Sequence, residues 1–231
     1  MVKSFRYLLQ FTWGNLGAVF GFAAIVIVGC YATGVPESLR TSNLFETYYA
    51  MFPTMILLML FLYAFAMCTN NLNLGLSMGA RRIDFFWAIQ GTMVFYAAVC
   101  WGLQLFMSSL PALAGWMARD KWMLLDLFGG RVWAFPLACI VLMILGCLSG
   151  LVMVKNKILG SILVTVSIFV MVVVTVFMIL SVETKVLVYL LDSKWAWLWT
   201  TLPKVMIVVL VAGAAGGEFL IWRVIQRYVV R

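Results

Sequence analysis

The sequence contains no histidine, and only eight of its 231 residues are acidic. Without histidine, the chain lacks the side chain that most often acts as a base near neutral pH and as a metal ligand. Charged residues make up 10% of the sequence and apolar residues 65%, whereas an average soluble domain is about a quarter charged and about half apolar. So few charges cannot cover a water-exposed surface. The composition therefore predicts one integral membrane domain over residues 1–231.

The apolar runs also lack the features of an enzyme active site. They carry no paired acids, and the phosphate-binding pattern G-x-x-x-x-G-K-[ST] is absent from the chain. The five cysteines show no C-x-x-C spacing, and their odd number argues against a disulfide framework or a metal site. We therefore expect no catalytic residue, no metal and no cofactor in this chain.

Six apolar runs approach the length of a membrane span, which is about 20 helical residues for a hydrocarbon core of about 30 Å. They predict an all-α protein with transmembrane helices at about residues 16–33, 47–68, 85–108, 132–154, 158–180 and 205–222. Before them, Lys3, Arg6 and Gln10 recur at helical spacing opposite apolar residues. This pattern predicts an amphipathic helix in the membrane interface or, alternatively, a charged flank of the first span.

Basic residues are concentrated in the loops on one side of these spans, where Asp84 is the one acid. The basic residues on that side are Lys3, Arg6, Arg81, Arg82, Lys155, Lys157, Arg223, Arg227 and Arg231. Because basic loops are retained in the cytoplasm, both termini are predicted to be cytoplasmic. Nucleic-acid binding is disfavoured, since these charges lie in short loops at helix ends and form no continuous basic surface.

Two connections on the opposite side, residues 111–131 and 182–203, mix apolar and aromatic residues with charges. Their apolar pieces are too short to span a bilayer, which predicts interfacial or re-entrant helices. Simple anchoring by aromatic side chains such as Trp195, Trp197 and Trp199 is the alternative.

Glu218 is the one acid inside a predicted span, and an ionisable residue in a membrane is a functional candidate. It lies five residues from Arg223, about 7.5 Å along a helix, so a structural role near the inner interface is the alternative. Gly213 and Gly217 form a Gly-x-x-x-Gly pair that allows close helix contact. The pair predicts a packing face, either within the chain or between two copies.

Residues 70–86, NNLNLGLSMGARRIDFF, are the most polar interruption between two spans. Asn70 or Asn71 can cap a short cytoplasmic helix over Leu72 to Met78, and Gly79 can end it. The alternative is a plain, positively charged turn.

The segment LGLSMGARRIDFF resembles the stretch after the second span in small bacterial ABC-2 type transporter permeases, where serine-x-glycine-x-x-arginine precedes an aromatic pair. The matching positions are Ser77, Gly79, Arg82, Phe85 and Phe86. In that family the segment is a coupling helix that docks into a separate ATP-hydrolysing subunit, which holds ATP and Mg. The resemblance implies that the residues contacting the ATPase are Leu72, Leu74, Leu76, Ser77, Met78, Gly79, Arg81 and Arg82.

The resemblance implies the membrane subunit of an ATP-binding cassette transporter in the bacterial plasma membrane. Such a subunit pairs with a second permease copy or a paralogue and binds cytoplasmic ATPases. The importer-type run of Glu-Ala-Ala followed by glycine is missing from residues 70–86, which favours export of a hydrophobic or amphipathic cargo such as a peptide or lipid-like compound. The alternatives are a six-span substrate-capture subunit of a vitamin importer and a membrane scaffold without transport activity.

Overall fold

The computed structural model describes residues 2–32, 44–77, 79–113, 133–183 and 196–227. Within these ranges the chain is helical and contains no β-strand, so the predicted all-α class is confirmed for them. The elements in chain order are α1 (Val2–Leu9), α2 (Thr12–Ala32), α3 (Leu44–Ala66), a π-helical turn (Met67–Asn71), α4 (Leu72–Ser77), α5 (Arg82–Leu113), α6 (Ala134–Lys155), α7 (Lys157–Glu183) and α8 (Ala196–Gln226).

Four apolar helical stretches among the described residues are long enough to cross a membrane, which supports a membrane protein. These stretches are Phe52–Ser77, Arg82–Met107, Ala134–Lys155 and Ile207–Gln226. The other two predicted spans fall in α2 and α7. The total of six spans and the cytoplasmic position of both termini stay predictions.

Much of the two connections that mix apolar residues with charges, namely residues 114–132 and 184–195, lies outside the described residues. The interfacial or re-entrant helices predicted there therefore stay predictions, and the predicted coupling residue Met78 also lies outside the described part. At the edges of these connections, α5 continues to Leu113 and α8 begins at Ala196. Both helices are thus longer than the apolar runs alone predicted.

Helix α6 lies at the centre of the bundle and packs against α3, α5, α7 and α8. Two glycines of α6, one turn apart, lie close against the backbone of α3. A Cβ atom at Gly146 would lie 2.4 Å from the carbonyl oxygen of Phe61, and one at Gly150 would lie 2.8 Å from the carbonyl oxygen of Phe65. Side-chain carbons do not approach backbone oxygens so closely, so glycine at both positions permits this contact.

Side chains complete the backbone hydrogen bonds at the corner between α1 and α2. The Tyr63 hydroxyl donates to the carbonyl oxygen of Leu8 at 2.9 Å, and the Thr12 hydroxyl donates to that of Leu9 at 2.6 Å. The last carbonyls of a helix have no partner within the helix itself, so these bonds stabilise the end of α1. Leu8 is fully buried while the charged side chains of α1 are exposed, as an amphipathic helix requires.

A single residue, Asn156, separates α6 from α7. Its side-chain oxygen accepts hydrogen bonds from the backbone N–H groups of Ile158 (3.2 Å) and Leu159 (3.3 Å). This arrangement is an N-cap, which satisfies two of the N–H groups that a helix start leaves unpaired. The lysines on either side of Asn156 are exposed.

Candidate functional site

Helix α4 continues directly from α3 through the π-helical turn. The backbone N–H of Leu72 donates to the carbonyl oxygen of Met67, five residues earlier, and the Thr69 hydroxyl donates to the carbonyl oxygen of Phe65 at 3.0 Å. A turn of this kind inserts one extra residue without ending the helix. α4 therefore begins without a break, where the sequence suggested a separate start capped by one of the two asparagines.

Helix α4 ends in a Schellman motif at Gly79. The N–H of Gly79 donates to the carbonyl oxygen of Leu76, and the N–H of Ala80 donates to that of Gly75, both at 3.1 Å. Gly79 has φ +86°, a left-handed conformation that glycine adopts without steric strain. The backbone after α4 is therefore fixed by hydrogen bonds and by the residue type at its turning point.

The start of α5 packs against α4 and α8 through the aromatic pair of the motif. A Cβ atom at Gly75 would lie 2.4 Å from Cε2 of Phe85, whose side chain is fully buried. Phe86 is also buried, and its ring packs edge-on against Trp222 of α8 with centroids 4.8 Å apart. The two phenylalanines therefore anchor the α4–α5 connection to the bundle.

The predicted coupling residues divide into anchors and surface. Leu72 is fully buried and Leu76 is partly buried, so both anchor α4. The exposed residues around the connection are Leu74, Ser77, Gly79, Arg81, Arg82 and Ile83. We call this exposed set the tip. Two of its members, Leu74 and Ile83, are apolar side chains with 51% and 56% of their surface accessible.

Three contacts join α5 to α8 at intervals of four residues, and we call them the α5–α8 seam. They are formed by Arg82 with Gln226, Phe86 with Trp222, and Gln90 with Glu218. The positions rise by four along α5 and fall by four along α8, as expected for antiparallel helices in contact along one face. In the outermost contact, the Arg82 guanidinium donates to the carbonyl oxygen of Gln226 at 3.0 Å. A positive charge is favourable at this C-terminal end of α8.

In the innermost contact of the seam, the Gln90 amide donates a hydrogen bond to the Glu218 carboxylate. Glu218 is half-buried, whereas Arg223, the partner that the sequence suggested, is exposed. An acid within an apolar helix needs a polar partner because its charge is poorly solvated there. The seam supplies that partner from a different helix.

The predicted glycine pair on α8 is divided between two environments. A Cβ atom at Gly217 would lie 2.2 Å from Cγ2 of Ile144, so Gly217 packs against α6 within the chain. Gly213 is exposed, and no atom lies within 4 Å of the Cβ it would carry. Packing through Gly213 therefore stays a prediction. Close helix contact within the described chain occurs at Gly146 and Gly150, whose Gly-x-x-x-Gly spacing is equally visible in the sequence.

No set of three or more His, Cys, Asp or Glu side chains in the described ranges comes close enough to hold a metal ion. No family model, curated protein or solved structure matches this chain.

Two residues of the site, Gly75 and Gln90, were not predicted from the sequence. The spacing of four residues from Gly75 to Gly79 could have marked the first. No local signal identifies Gln90 as the partner of a residue 128 positions away.

Proposed function

We propose that this chain is the membrane subunit of an ABC-2 type ATP-binding cassette exporter in a bacterial plasma membrane. In this proposal the chain has six spans and cytoplasmic termini, and a separate ATPase binds ATP and Mg. The tip carries the proposal, because it presents exposed Leu74 and Ile83 beside two exposed arginines. Apolar side chains surrounded by polar ones on a surface are typical of protein contact sites.

The position of α1 supports a tip that projects beyond the membrane surface. Phe5 of α1 packs against α5 at Gly91, where an added Cβ would lie 3.2 Å from Cε2 of the Phe5 ring. Lys3 and Arg6, on either side of Phe5, are exposed, so α1 lies at the level where the bundle meets water. Arg82 is nine residues from Gly91, which places the tip about 13 Å beyond that level.

The seam supplies a route for movement between the tip and the membrane. Arg82 belongs to both the tip and the seam, so a displacement of the tip by an ATPase acts directly on the end of α8. Two further contacts, one turn apart, join the same helices down to Glu218. ATP-driven closure of two ATPases would thus move α5 and α8 together. This is a physical route for coupling because it is a contiguous set of contacts.

The outer face of α8 supports a second membrane subunit as a partner. Only 11% of the residues in an 18-residue apolar window of Ile207–Gln226 are buried within the described part of the chain. A second permease copy, or a paralogue, would cover part of this face, and the exposed Gly213 would allow close contact. The cargo we propose is hydrophobic or amphipathic, such as a peptide or lipid-like compound, because the spans offer apolar and aromatic side chains with few charges.

Charge reversal at the tip tests the proposal. The tagged chain is purified from the membranes of the cells that produce it naturally, and any P-loop ATPase bound to it is quantified by mass spectrometry and by ATP hydrolysis. We expect Arg81→Glu plus Arg82→Glu to lower ATPase recovery about tenfold or more. An ATPase surface that attracts two arginines would repel two glutamates, and like charges at an interface cost several kcal/mol. The matched control is Lys155→Glu plus Lys157→Glu, which reverses two exposed charges at the α6–α7 turn and should leave recovery unchanged.

A second variant separates docking from the seam, since Arg82→Glu also removes the hydrogen bond to Gln226. Leu74→Asp changes an exposed side chain outside the seam and should lower ATPase recovery as well. Normal recovery with both tip variants would contradict the proposal. Equal losses with the lysine control would contradict it too, because the effect would then reflect charge on any exposed turn.

A further inference from the structure

A crevice of about 230 Å³ lies between α2, α3 and α5, and the tip and the seam do not line it. Its lining contains no charged residue and is mostly apolar, with polar groups supplied by Asn15, Tyr63 and Tyr96. The crevice is partly open to the outside of the bundle. A cavity of about 150 Å³ already accommodates benzene, so this crevice is large enough for part of an aliphatic chain.

The polar groups of the crevice lie in one cluster, in which a hydrogen bond joins Asn15 to Tyr96 and a ring contact joins Tyr96 to Tyr63. The Asn15 amide donates to the Tyr96 hydroxyl at 3.0 Å, and that hydroxyl donates to the Thr12 hydroxyl at 3.3 Å. The rings of Tyr63 and Tyr96 lie against each other with centroids 4.7 Å apart. An asparagine amide has two N–H donors and an acceptor oxygen. Asn15 therefore retains capacity to donate to a ligand and to accept from one.

The polar and apolar parts of the lining are separated by one helical turn on all three helices. Asn15, Tyr63 and Tyr96 lie nearer to α1 and the tip, because α2 and α5 run away from that end and α3 runs toward it. Four residues further into the bundle on the same helices are Val19, Met59 and Cys100. Four residues correspond to about 6 Å of helix. The crevice thus has a polar rim and an apolar floor.

The rim lies just below the level of α1. Tyr96 is five residues beyond Gly91, the position that contacts Phe5, and therefore about 8 Å deeper along α5. An interfacial helix buries its apolar face about 5–10 Å into the boundary between headgroups and acyl chains. The rim is therefore at the depth where the polar end of a membrane amphiphile gives way to its chain.

We propose that this crevice binds a neutral amphiphile from the leaflet on the α1 side, with a hydroxyl head group and one aliphatic chain. The head group exchanges hydrogen bonds with Asn15 and donates to a tyrosine hydroxyl oxygen at the rim, and the chain fills the floor between Val19, Met59 and Cys100. A charged head group is disfavoured because no lining residue carries a compensating charge. This inference goes beyond the proposed function, because the site is formed by one chain and involves no ATPase.

Photolabelling of the full chain tests the site. The chain is reconstituted in nanodiscs of phosphatidylcholine, irradiated with octanol that carries a diazirine near its chain end, and mapped by peptide mass spectrometry. We expect saturable labelling at Val19, Met59 and Cys100. Unlabelled octanol should compete more strongly than octane, since octane cannot form the hydrogen bonds at the rim.

Two conservative variants test the rim. Asn15→Leu keeps the approximate side-chain volume and Tyr96→Phe keeps the ring, and each removes hydrogen-bonding groups. We expect octanol to compete about fivefold more weakly in both, as for the loss of one hydrogen bond. The matched control is Thr92→Val, which also removes a hydroxyl from α5. The Thr92 hydroxyl donates to the carbonyl oxygen of Ala88 at 2.7 Å and lies outside the crevice, so octanol should compete as in the unchanged chain.

Three results would overturn the inference. The first is labelling of exposed α7 residues, such as Ile162 and Val166, as strongly as of the crevice. The second is equal competition by octane and octanol, and the third is an equal loss of competition in Thr92→Val. Helical circular dichroism and gel filtration check that each variant folds, and Tyr96→Phe retains the packing of its ring. In the variant Arg81→Glu plus Arg82→Glu, the crevice should be labelled as in the unchanged chain. Failure of the coupling proposal and failure of this one are therefore distinguishable.

Discussion

The contact between α3 and α6 and the seam between α5 and α8 are built in opposite ways. At the first, Gly146 and Gly150 bring α6 against backbone carbonyl oxygens of α3. At the second, the helices meet through three pairs of groups spaced one turn apart, and at least one side chain takes part in every pair. One interface is backbone against backbone, and the other depends on side chains that can change rotamer.

This difference separates the rigid part of the bundle from the part suited to movement. Backbone atoms in contact leave no alternative arrangement, because tightly packed interiors do not deform continuously. Contacts made by side-chain ends can break and re-form one turn away, as in helix shifts that accompany switching. We therefore expect α3 and α6 to form the rigid frame of the bundle and the α5–α8 seam to be the contact that adjusts when helices move.

The largest effect on stability is expected from adding side-chain atoms at the close contact between α3 and α6. Gly146→Val places a Cβ against the Phe61 carbonyl oxygen and should destabilise the fold by about 3 kcal/mol, at the upper end for overpacked interiors. Thermal unfolding of the detergent-solubilised chain, followed by fluorescence-detected gel filtration, measures the loss. The control is Gly102→Val on α5, at an exposed position with open space around it, which should unfold as the unchanged chain does. Equal stability of the two variants would contradict the idea that close packing of α3 against α6 forms the rigid frame.

An intermediate effect is expected at the aromatic contact of the seam. Phe86→Leu and Trp222→Leu each remove one ring, and a double-mutant cycle isolates the interaction between them. We expect a coupling of about 1 kcal/mol, the usual value for an edge-on aromatic pair beyond its buried area. In the proposed complex with an ATPase, the same variants should also lower cargo-stimulated ATP hydrolysis at a temperature where both variants remain folded. A coupling near zero would show that the rings are merely adjacent.

The smallest effect on stability is expected at the innermost contact. Glu218→Gln retains an acceptor oxygen for the Gln90 amide, so the free energy of unfolding should change by no more than about 0.5 kcal/mol. If the chain transports a cargo as proposed, the transport rate and its pH profile should also stay as in the unchanged chain. An altered pH profile in a variant of normal stability would instead assign the carboxylate a role in carrying protons or cargo.

The sequence predicted local features of this fold better than its long-range pairs. Apolar runs and the single glycine after α4 are local signals, and α4 indeed begins at Leu72 and is followed by the left-handed Gly79. The Gly-x-x-x-Gly spacing occurs on both α6 and α8, but spacing does not reveal which helix faces a neighbour. Burial decides between them, and burial is a property of the assembled bundle.

The site shows the same division between local and long-range information. The arginines were found from their place after Gly79, whereas the bond from Arg82 to Gln226 joins residues 144 positions apart. The π-helical turn was also missed. In the folded bundle this turn packs against α6, and the sequence around Thr69 is typical of an ordinary loop.

The corner after α1 has a consequence for the order in which the protein is assembled during translation. Its stabilising hydroxyls come from Tyr63, 55 residues after Leu8, and from Tyr96, 84 residues after Thr12. Because synthesis proceeds from the N-terminus, α1 emerges from the ribosome long before either tyrosine has been made. Until α3 and α5 are inserted, α1 can rest on the lipid surface through its own apolar face alone. The helix that is translated first among those described is therefore among the last to form its stabilising hydrogen bonds with the bundle.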